Sequence, residues 1–173
     1  MTLSLEERCL RLLNTTRFVT LATVSADGEA WASTVNYVYR SETQTLLWYS
    51  MSDARHSRNI EQVSVLSGSL FRTDLGAEAP PVGLDGIQFC GTARSVPDDE
   101  VQSAHESYYR INFPDERIRA QWVLPLAEFK QSEKRSFYEL TIEQLWLLDL
   151  DRWSYDKNDQ RIEVVLPFEG ARL

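Results

Sequence analysis

Cysteine is scarce in this sequence, and its scarcity narrows the classes of protein to which the chain can belong. Of the 173 residues, two are cysteine, Cys9 and Cys90. Two cysteines so far apart match no metal-binding spacing and are too few for a disulfide scaffold. We interpret both as buried thiols, and the expected compartment is the reducing, cytoplasmic one.

The motifs of several common enzyme classes are missing as well. The sequence contains no glycine-rich phosphate loop, no HExxH pair and no G-x-S-x-G nucleophile elbow. Its two histidines, His56 and His105, are too few for a histidine-rich metal site. Hydrolase and metalloenzyme functions therefore have little support, and we predict neither a catalytic side chain nor a metal ligand.

Long apolar runs and excess positive charge are also lacking. No stretch approaches the roughly 20 apolar residues that span a bilayer, and the first residues include acids where a signal peptide carries basic residues. The formal net charge of −8 argues against nucleic acid or a membrane surface as the main partner, because both attract cationic proteins. An anionic ligand therefore needs a local cluster of positive charge.

The first half of the chain combines one helix with several strand patterns. Ser4 and Glu7 form a capping box for a helix over about 4–15. Asp27-Gly28, between strand patterns at 17–24 and 31–39, predicts a hairpin with a tight primed turn. Further along, the patterns predict strands over 45–50, 63–71 and 86–96, a short helix over 54–62 capped by Ser52 or Asp53, and an irregular loop over 74–83.

The second half has helices first and strands after them. Pro97 is expected to start a helix with Val101, Ala104, Tyr108 and Ile111 on its inner face, and Pro114 a short helix ending near Trp122. Strand patterns follow over 135–142, 145–150 and 161–167. No repeat or linker divides the chain, so we predict one domain over 1–173. The predicted fold is mainly β, an antiparallel barrel with flanking helices.

The segment 49–60 carries the most chemical information. Arg55, His56 and Arg58 lie in the first turns of the predicted short helix. Cations there oppose the helix dipole, whereas a bound anion would turn the repulsion into attraction. A phosphate could take backbone N–H groups, the Ser50 hydroxyl and a charged fork from Arg55. Solvation of the arginines, or pairing with Asp53 or Glu61, is the alternative.

The order of these elements resembles a known family. The hairpin at Asp27-Gly28, the strand ending in Tyr49-Ser50, the helix Ala-Arg-His-Ser-Arg-Asn-Ile and the later strand Gln-Phe-Cys-Gly-Thr-Ala resemble the pyridoxamine 5′-phosphate oxidase-like FMN-binding split barrels over about 17–96. Beyond that range, the helical insert and the closing strand FYELTIEQLWLLD resemble a short bacterial branch of the same superfamily. The resemblance implies a six-stranded antiparallel split barrel. It also implies a homodimer with FMN at the interface of the two chains.

The resemblance assigns cofactor-binding positions. Arg55 and His56 match an Arg-Lys pair that grips the FMN phosphate in the oxidases, with His56 in place of lysine. The strand Ala32 to Tyr37 is expected to run along the flavin ring, chiefly through main-chain groups. Gln88 lies near the position of a flavin-contacting glutamine. The cofactor-binding residues expected in this way are Thr34, Val35, Asn36, Tyr49, Ser50, Arg55, His56 and Gln88.

Other positions stay open at this level. Trp153 and Arg161 resemble a tryptophan and an arginine near the flavin in that family, although their spacing is shorter, and Arg58 competes with His56 for the phosphate. For Trp31, Tyr37 and Tyr39, barrel packing is favoured over flavin contact. The Arg-Leu-His segment that helps hold pyridoxal phosphate has no counterpart, which argues against oxidation of vitamin B6.

The expected function is therefore that of an FMN-dependent oxidoreductase acting on an unidentified small molecule. Two alternatives remain: a split barrel that binds a deazaflavin or haem, and a flavin-holding or sensing module without turnover. A haem would have only His56 and His105 as imidazole ligands.

Overall fold

The computed structural model describes residues 3–72, 85–130 and 134–168. Within these ranges the chain forms one mainly antiparallel sheet with flanking helices, as predicted. In chain order the elements are α1 Leu5–Thr15, β1 Phe18–Val24, β2 Ala30–Asn36, β3 Val38–Arg40, β4 Thr45–Met51, α2 Arg55–Gln62, β5 Val65–Phe71, β6 Gly86–Ser95, α3 Val101–Asn112, α4 Glu116–Trp122, a 3₁₀ turn Leu126–Glu128, β7 Arg135–Leu148, α5 Leu150–Asp156 and β8 Arg161–Glu163.

The ends of the sheet explain why it curls into a barrel. The strand order is β2-β1-β5-β6-β7-β4-β3, with β8 beside β7. Strands β2 and β3 therefore lie at opposite ends of the sheet, yet only Tyr37 separates them in sequence. A chain that leaves one end and enters the other after one residue brings the two ends together. The sheet is accordingly curled into a split barrel, which confirms the predicted fold.

The number of strands differs from the prediction. The structure has eight strands within the described ranges rather than six. The predicted strand over 31–39 divides at Tyr37, whose N–H donates to the carbonyl of Arg17 at 3.2 Å. The predicted strands at 135–142 and 145–150 form the single strand β7, which ends at Leu148, and Leu150–Asp156 is helical. Pairing with neighbouring strands decides these boundaries, and the local sequence pattern does not contain that information.

The first hairpin forms where predicted, with a different turn. Strands β1 and β2 pair from Phe18 with Asn36 to Val24 with Ala30. Gly28 has a positive φ of 84°, whereas Asp27 does not, and the Gly28 N–H donates to the Ser25 carbonyl at 2.9 Å. A primed two-residue turn needs positive φ at both central residues. The connection is instead a three-residue loop with its glycine in the left-handed region.

Two helix details also differ from the sequence-based expectation. Helix α1 has the predicted capping box and buries Cys9, Leu12 and Leu13. In α3, which begins at Val101 rather than beside Pro97, Ile111 is 40% exposed and Tyr109 is buried in its place. The loop predicted over 74–83 falls outside the described residues.

The apolar side chains form two cores. The larger fills the barrel, with Leu46, Trp48 and Leu140 at its centre. The smaller lies outside the barrel, where α3 packs on β4 and β7 through residues such as Leu47, Tyr109 and Phe137. Strand β4 is thus buried on both faces, a consequence of α3 covering its outer side. None of the helices in the described ranges has the length and apolar character needed to cross a membrane.

Candidate functional site

The N-terminus of α2 is open to a ligand. The residue at its N-cap position is Ala54, and no side chain within the described ranges caps the helix. The expected cap from Ser52 or Asp53 is therefore wrong. The first turn contains no acidic residue either. An uncapped helix start presents N–H groups and a partial positive charge, both suited to an anion.

Arg55, the first residue of α2, reaches toward the hairpin. Its Nη2 lies 2.6 Å from Oε2 of Glu29, and its guanidinium carbon lies 4.6 Å from the centre of the Trp31 ring. Neither Asp53 nor Glu61 is its ion-pair partner in the structure. Trp31 is 41% exposed rather than packed in the barrel, in contrast to Tyr37 and Tyr39, which are buried as predicted.

His56 is bonded to the strand before the helix. Its Nε2 lies 2.7 Å from Oγ of Ser50, so the structure brings these two predicted residues together. Burial lowers the pKa of His56 below its ordinary 6.5, which favours the neutral imidazole at pH 7. Arg58, in contrast, is exposed and donates to the backbone carbonyl of Asp53.

Two buried polar side chains that were not predicted from the sequence hold α2 in place. Ser57 Oγ donates to the carbonyl of Met51 at 2.8 Å. Asn59 Nδ2 donates to Oγ1 of Thr23 at 3.0 Å, and that hydroxyl donates to the carbonyl of Trp31 at 3.3 Å. These bonds tie the helix to β4 and to both strands of the hairpin, so they fix the position of Arg55 and His56.

The three candidates on β2 have different surroundings. Thr34 is exposed, with Oγ1 3.3 Å from that of Thr20. Val35 is 8% exposed and its side chain belongs to the barrel core. The Asn36 amide donates to the Arg17 carbonyl at 2.9 Å and accepts from α3. In the described sheet β2 pairs with β1 alone, which leaves its other backbone edge without a strand partner.

Tyr49 packs in the smaller core. Its ring lies 5.2 Å from Tyr108, 5.4 Å from Phe129 and 5.8 Å from Phe137, measured between centroids. The neighbouring Ser50 bonds His56, so the two predicted residues occupy opposite faces of β4. The position of Tyr49 is explained by aromatic packing.

Gln88 belongs to a second group of polar and aromatic side chains. Its Oε1 accepts from Arg161 Nε at 3.3 Å, and Arg161 Nη1 lies 2.7 Å from Asp159 Oδ1. Gln88, Arg161 and Trp153 line one cavity of about 470 Å³ together with apolar side chains from β5 to β7. The structure thus brings Trp153 and Arg161, two positions left open by the sequence, beside a predicted site residue.

Thr34 on β2 and Gln88 on β6 both lie on the exposed outer face of the sheet. One row of paired residues crosses strands β2, β1, β5 and β6: Thr34, Thr20, Ser69 and Gln88. Three strand spacings place Thr34 and Gln88 roughly 14 Å apart. Large apolar side chains at the ends of these strands are exposed: Phe18 by 60%, Val65 by 62% and Phe71 by 63%. An exposed apolar face of this kind is typical of an interaction surface.

Metal chemistry receives no support from the described ranges. Among those residues, no group of three or more His, Cys, Asp or Glu side chains is arranged to hold a metal ion.

Comparison with known proteins gives a family match. Residues 5–149 match the family model described as pyridoxamine 5′-phosphate oxidase. No curated protein sequence matches.

Several solved structures have a similar fold. A haem-binding protein from Mycobacterium smegmatis has 18% identity and a TM-score of 0.68, over 95% of this chain and 59% of that one. The haem storage protein HutZ from Vibrio cholerae has 22% identity and a TM-score of 0.61, over 83% and 94%. An F420 reductase has 17% identity and a TM-score of 0.51, over 78% and 93%. At these identities the likeness shows a shared fold alone.

Proposed function

The chain belongs to the pyridoxamine 5′-phosphate oxidase family, and we propose that it is an FMN-binding flavoprotein that transfers hydride or electrons to a small molecule. The observation that carries the proposal is the start of α2. The helix has no side-chain cap there within the described ranges, its first residue is Arg55, and its second residue, His56, is bonded to Ser50.

The chemistry of these donors fits a phosphate monoester. Its charge at neutral pH is about −1.5 to −2, and backbone N–H groups at a helix start bind such anions. Arg55 adds a planar, permanently charged fork. His56, bonded to Ser50, supplies one more donor when it is protonated, and a nearby phosphate favours that form.

A ring-binding region complements the phosphate region. The free backbone edge of β2 and the exposed Thr34 side chain support the family expectation that main-chain groups of this strand contact the flavin ring. The cavity lined by Gln88, Trp153 and Arg161 offers aromatic and charged contacts on the same sheet. Flavin bound there would supply the redox chemistry, while the protein binds and orients it.

The proposal includes a homodimer that joins the two regions. In one chain α2 lies at the hairpin end of β2, whereas Gln88 is three strands away on the outer face. Exposed Phe18, Val65 and Phe71 on that face favour burial against a second copy. A flavin shared by two copies would then contact α2 of one chain and the cavity of the other.

Haem binding is the second candidate, because similar structures carry haem-binding names. Two observations weigh against imidazole ligation. His56 Nε2 is already bonded to Ser50 at 2.7 Å. His105 Nε2 lies 2.7 Å from the Leu124 carbonyl and its ring packs on Tyr109. A haem ligand at either position would have to break these contacts.

The cofactor is tested by the visible spectrum and by FMN titration followed by fluorescence quenching. We expect a flavin spectrum and an affinity that Arg55→Ala lowers about 10- to 150-fold, since a hydrogen bond to a charged group contributes about 1.5–3 kcal/mol. Arg11→Ala, an exposed arginine on α1, is the matched control for net charge. A Soret band, a preference for a deazaflavin, or equal FMN affinity in both variants would contradict the proposal.

Turnover and assembly need separate measurements. Steady oxidation of NADH or NADPH with an electron acceptor is expected, and a flavin-loaded protein without turnover would favour the sensing module. In solution we expect twice the chain mass of 20.0 kDa. Val65→Asp should lower that mass, whereas Val165→Asp, at a valine 85% exposed elsewhere, should not. A monomer at micromolar concentration would refute the dimer.

A further inference from the structure

Arg55 is engaged from two sides by residues of the hairpin. Glu29 Oε2 lies 2.6 Å from its Nη2, and the Trp31 ring lies 4.6 Å from its guanidinium carbon. Both contacts come from the first residues of the hairpin's second half, whereas Arg55 itself begins α2. The charged fork that would bind a phosphate is therefore already bound to a carboxylate of the same chain.

The backbone of Glu29 is fixed, while its side chain faces solvent. The Glu29 N–H donates to Ser25 Oγ at 3.1 Å, and the Glu29 carbonyl accepts from the Ser25 N–H at 3.0 Å. These two bonds hold the backbone of Glu29 against Ser25. The Glu29 side chain is 71% exposed and that of Arg55 37% exposed. An exposed ion pair of this kind is weak, so an incoming anion can displace the carboxylate.

The first turn of α2 has no acidic residue of its own. Glu29, which precedes β2, is the carboxylate that pairs with the first residue of the helix, Arg55. We infer that Glu29 competes with the flavin phosphate for Arg55 and so sets the affinity and charge selectivity of the phosphate site. This inference rests on the proposed function.

The competition favours ligands of higher charge. A singly charged group, such as a carboxylate, gains little by replacing Glu29, because it exchanges one carboxylate for another. A phosphate monoester carries nearly two charges and three acceptor oxygens, and it can also take the backbone N–H groups of the uncapped helix. Trp31 contacts the guanidinium through its ring face, so this contact is compatible with either anion.

Glu29→Gln tests the inference through FMN affinity. The substitution keeps the side-chain size and removes the competing charge, so we expect FMN to bind about two- to fivefold more tightly, the range for loss of an exposed ion pair. Riboflavin, which lacks the phosphate, should bind Glu29→Gln and the unmodified chain equally. Glu42→Gln, at an exposed position in the turn between β3 and β4, makes the same change in net charge and should leave FMN affinity unchanged.

A double-mutant cycle separates competition at Arg55 from simple charge repulsion. In the Arg55→Ala background, Glu29→Gln should no longer tighten FMN binding, because the shared partner is gone. A gain that persists there, or an equal gain for riboflavin, would overturn the inference. If Arg55→Ala weakens FMN binding and Glu29→Gln changes nothing, this inference alone fails. If Arg55→Ala itself has no effect, the proposed phosphate site fails and the inference falls with it.

Discussion

Thr23 offers a sharp test of how the fold positions α2. The residue is 1% exposed, and its hydroxyl accepts from Asn59 Nδ2 at 3.0 Å and donates to the Trp31 carbonyl at 3.3 Å. Thr23→Val keeps the shape of the side chain and removes both bonds. It leaves the amide of Asn59, a residue 4% exposed, without this acceptor.

The expected cost follows from that lost partner. An unsatisfied buried polar group costs about 1–3 kcal/mol. For a domain of 150–250 residues, each kcal/mol lowers the melting temperature by about 2–4 °C, so a decrease of roughly 2–12 °C is expected. Because Asn59 holds α2 to the hairpin, FMN affinity should fall as well.

Urea and thermal unfolding measure this effect against three related variants. Thr23→Ser retains the hydroxyl and should recover most of the stability. Thr141→Val, on an exposed part of β7, should stay within about 0.5 kcal/mol of the unmodified chain. Thr23→Val combined with Asn59→Leu removes both partners and should cost less than Thr23→Val alone. If Thr23→Val behaves like Thr141→Val, the bond does not anchor α2 and the reasoning is refuted.

Two further predictions concern charge. Glu139 is 8% exposed, pairs with Arg40 and lies 2.8 Å from Arg94 Nη2. Glu139→Gln should therefore lower the free energy of unfolding by about 3–5 kcal/mol in urea titrations. Glu100→Gln, at a carboxylate 48% exposed, should cost less than about 1 kcal/mol, and equal losses in the two variants would contradict a buried network. Burial lowers the pKa of His56 below 6.5, so the unfolded chain takes up a proton first as the pH falls and stability is lost from about pH 6.5 downward. His56→Gln should reduce this loss between pH 7.5 and pH 5.5, and an unchanged pH dependence would show that folding does not lower the pKa of His56.

Much of the secondary structure could be predicted because its signals are local. The capping box of Ser4 and Glu7 and the strand alternation around Asp27-Gly28 involve residues close in sequence. The turn type was wrong because Asp-Gly is compatible with more than one loop length, and the strand register selects among them. The cap of α2 was wrong because the sequence offered two side chains of the right type and could not show where either of them points.

The candidate site was predicted only in part, because some of its contacts join residues close in sequence and others join distant ones. Ser50, Arg55 and His56 lie within seven residues of one another, and the structure places Ser50 and His56 in contact. Glu29 and Asn59 gave no separate signal, since their partners lie 26 and 36 residues away. The cofactor assigned to these residues stays a prediction until binding is measured.

The sequence by itself indicated the family and most of the helices and strands, and it predicted an anion site in the segment 49–60, because short-range periodicity and local charge carry those signals. The tertiary structure alone decided that β2 and β3 close the barrel, that Gln88, Trp153 and Arg161 share a cavity, and that Glu29 binds Arg55. Each of these features depends on which distant strands become neighbours. That choice is made by burial and pairing over the whole sheet, so no short stretch of sequence contains it.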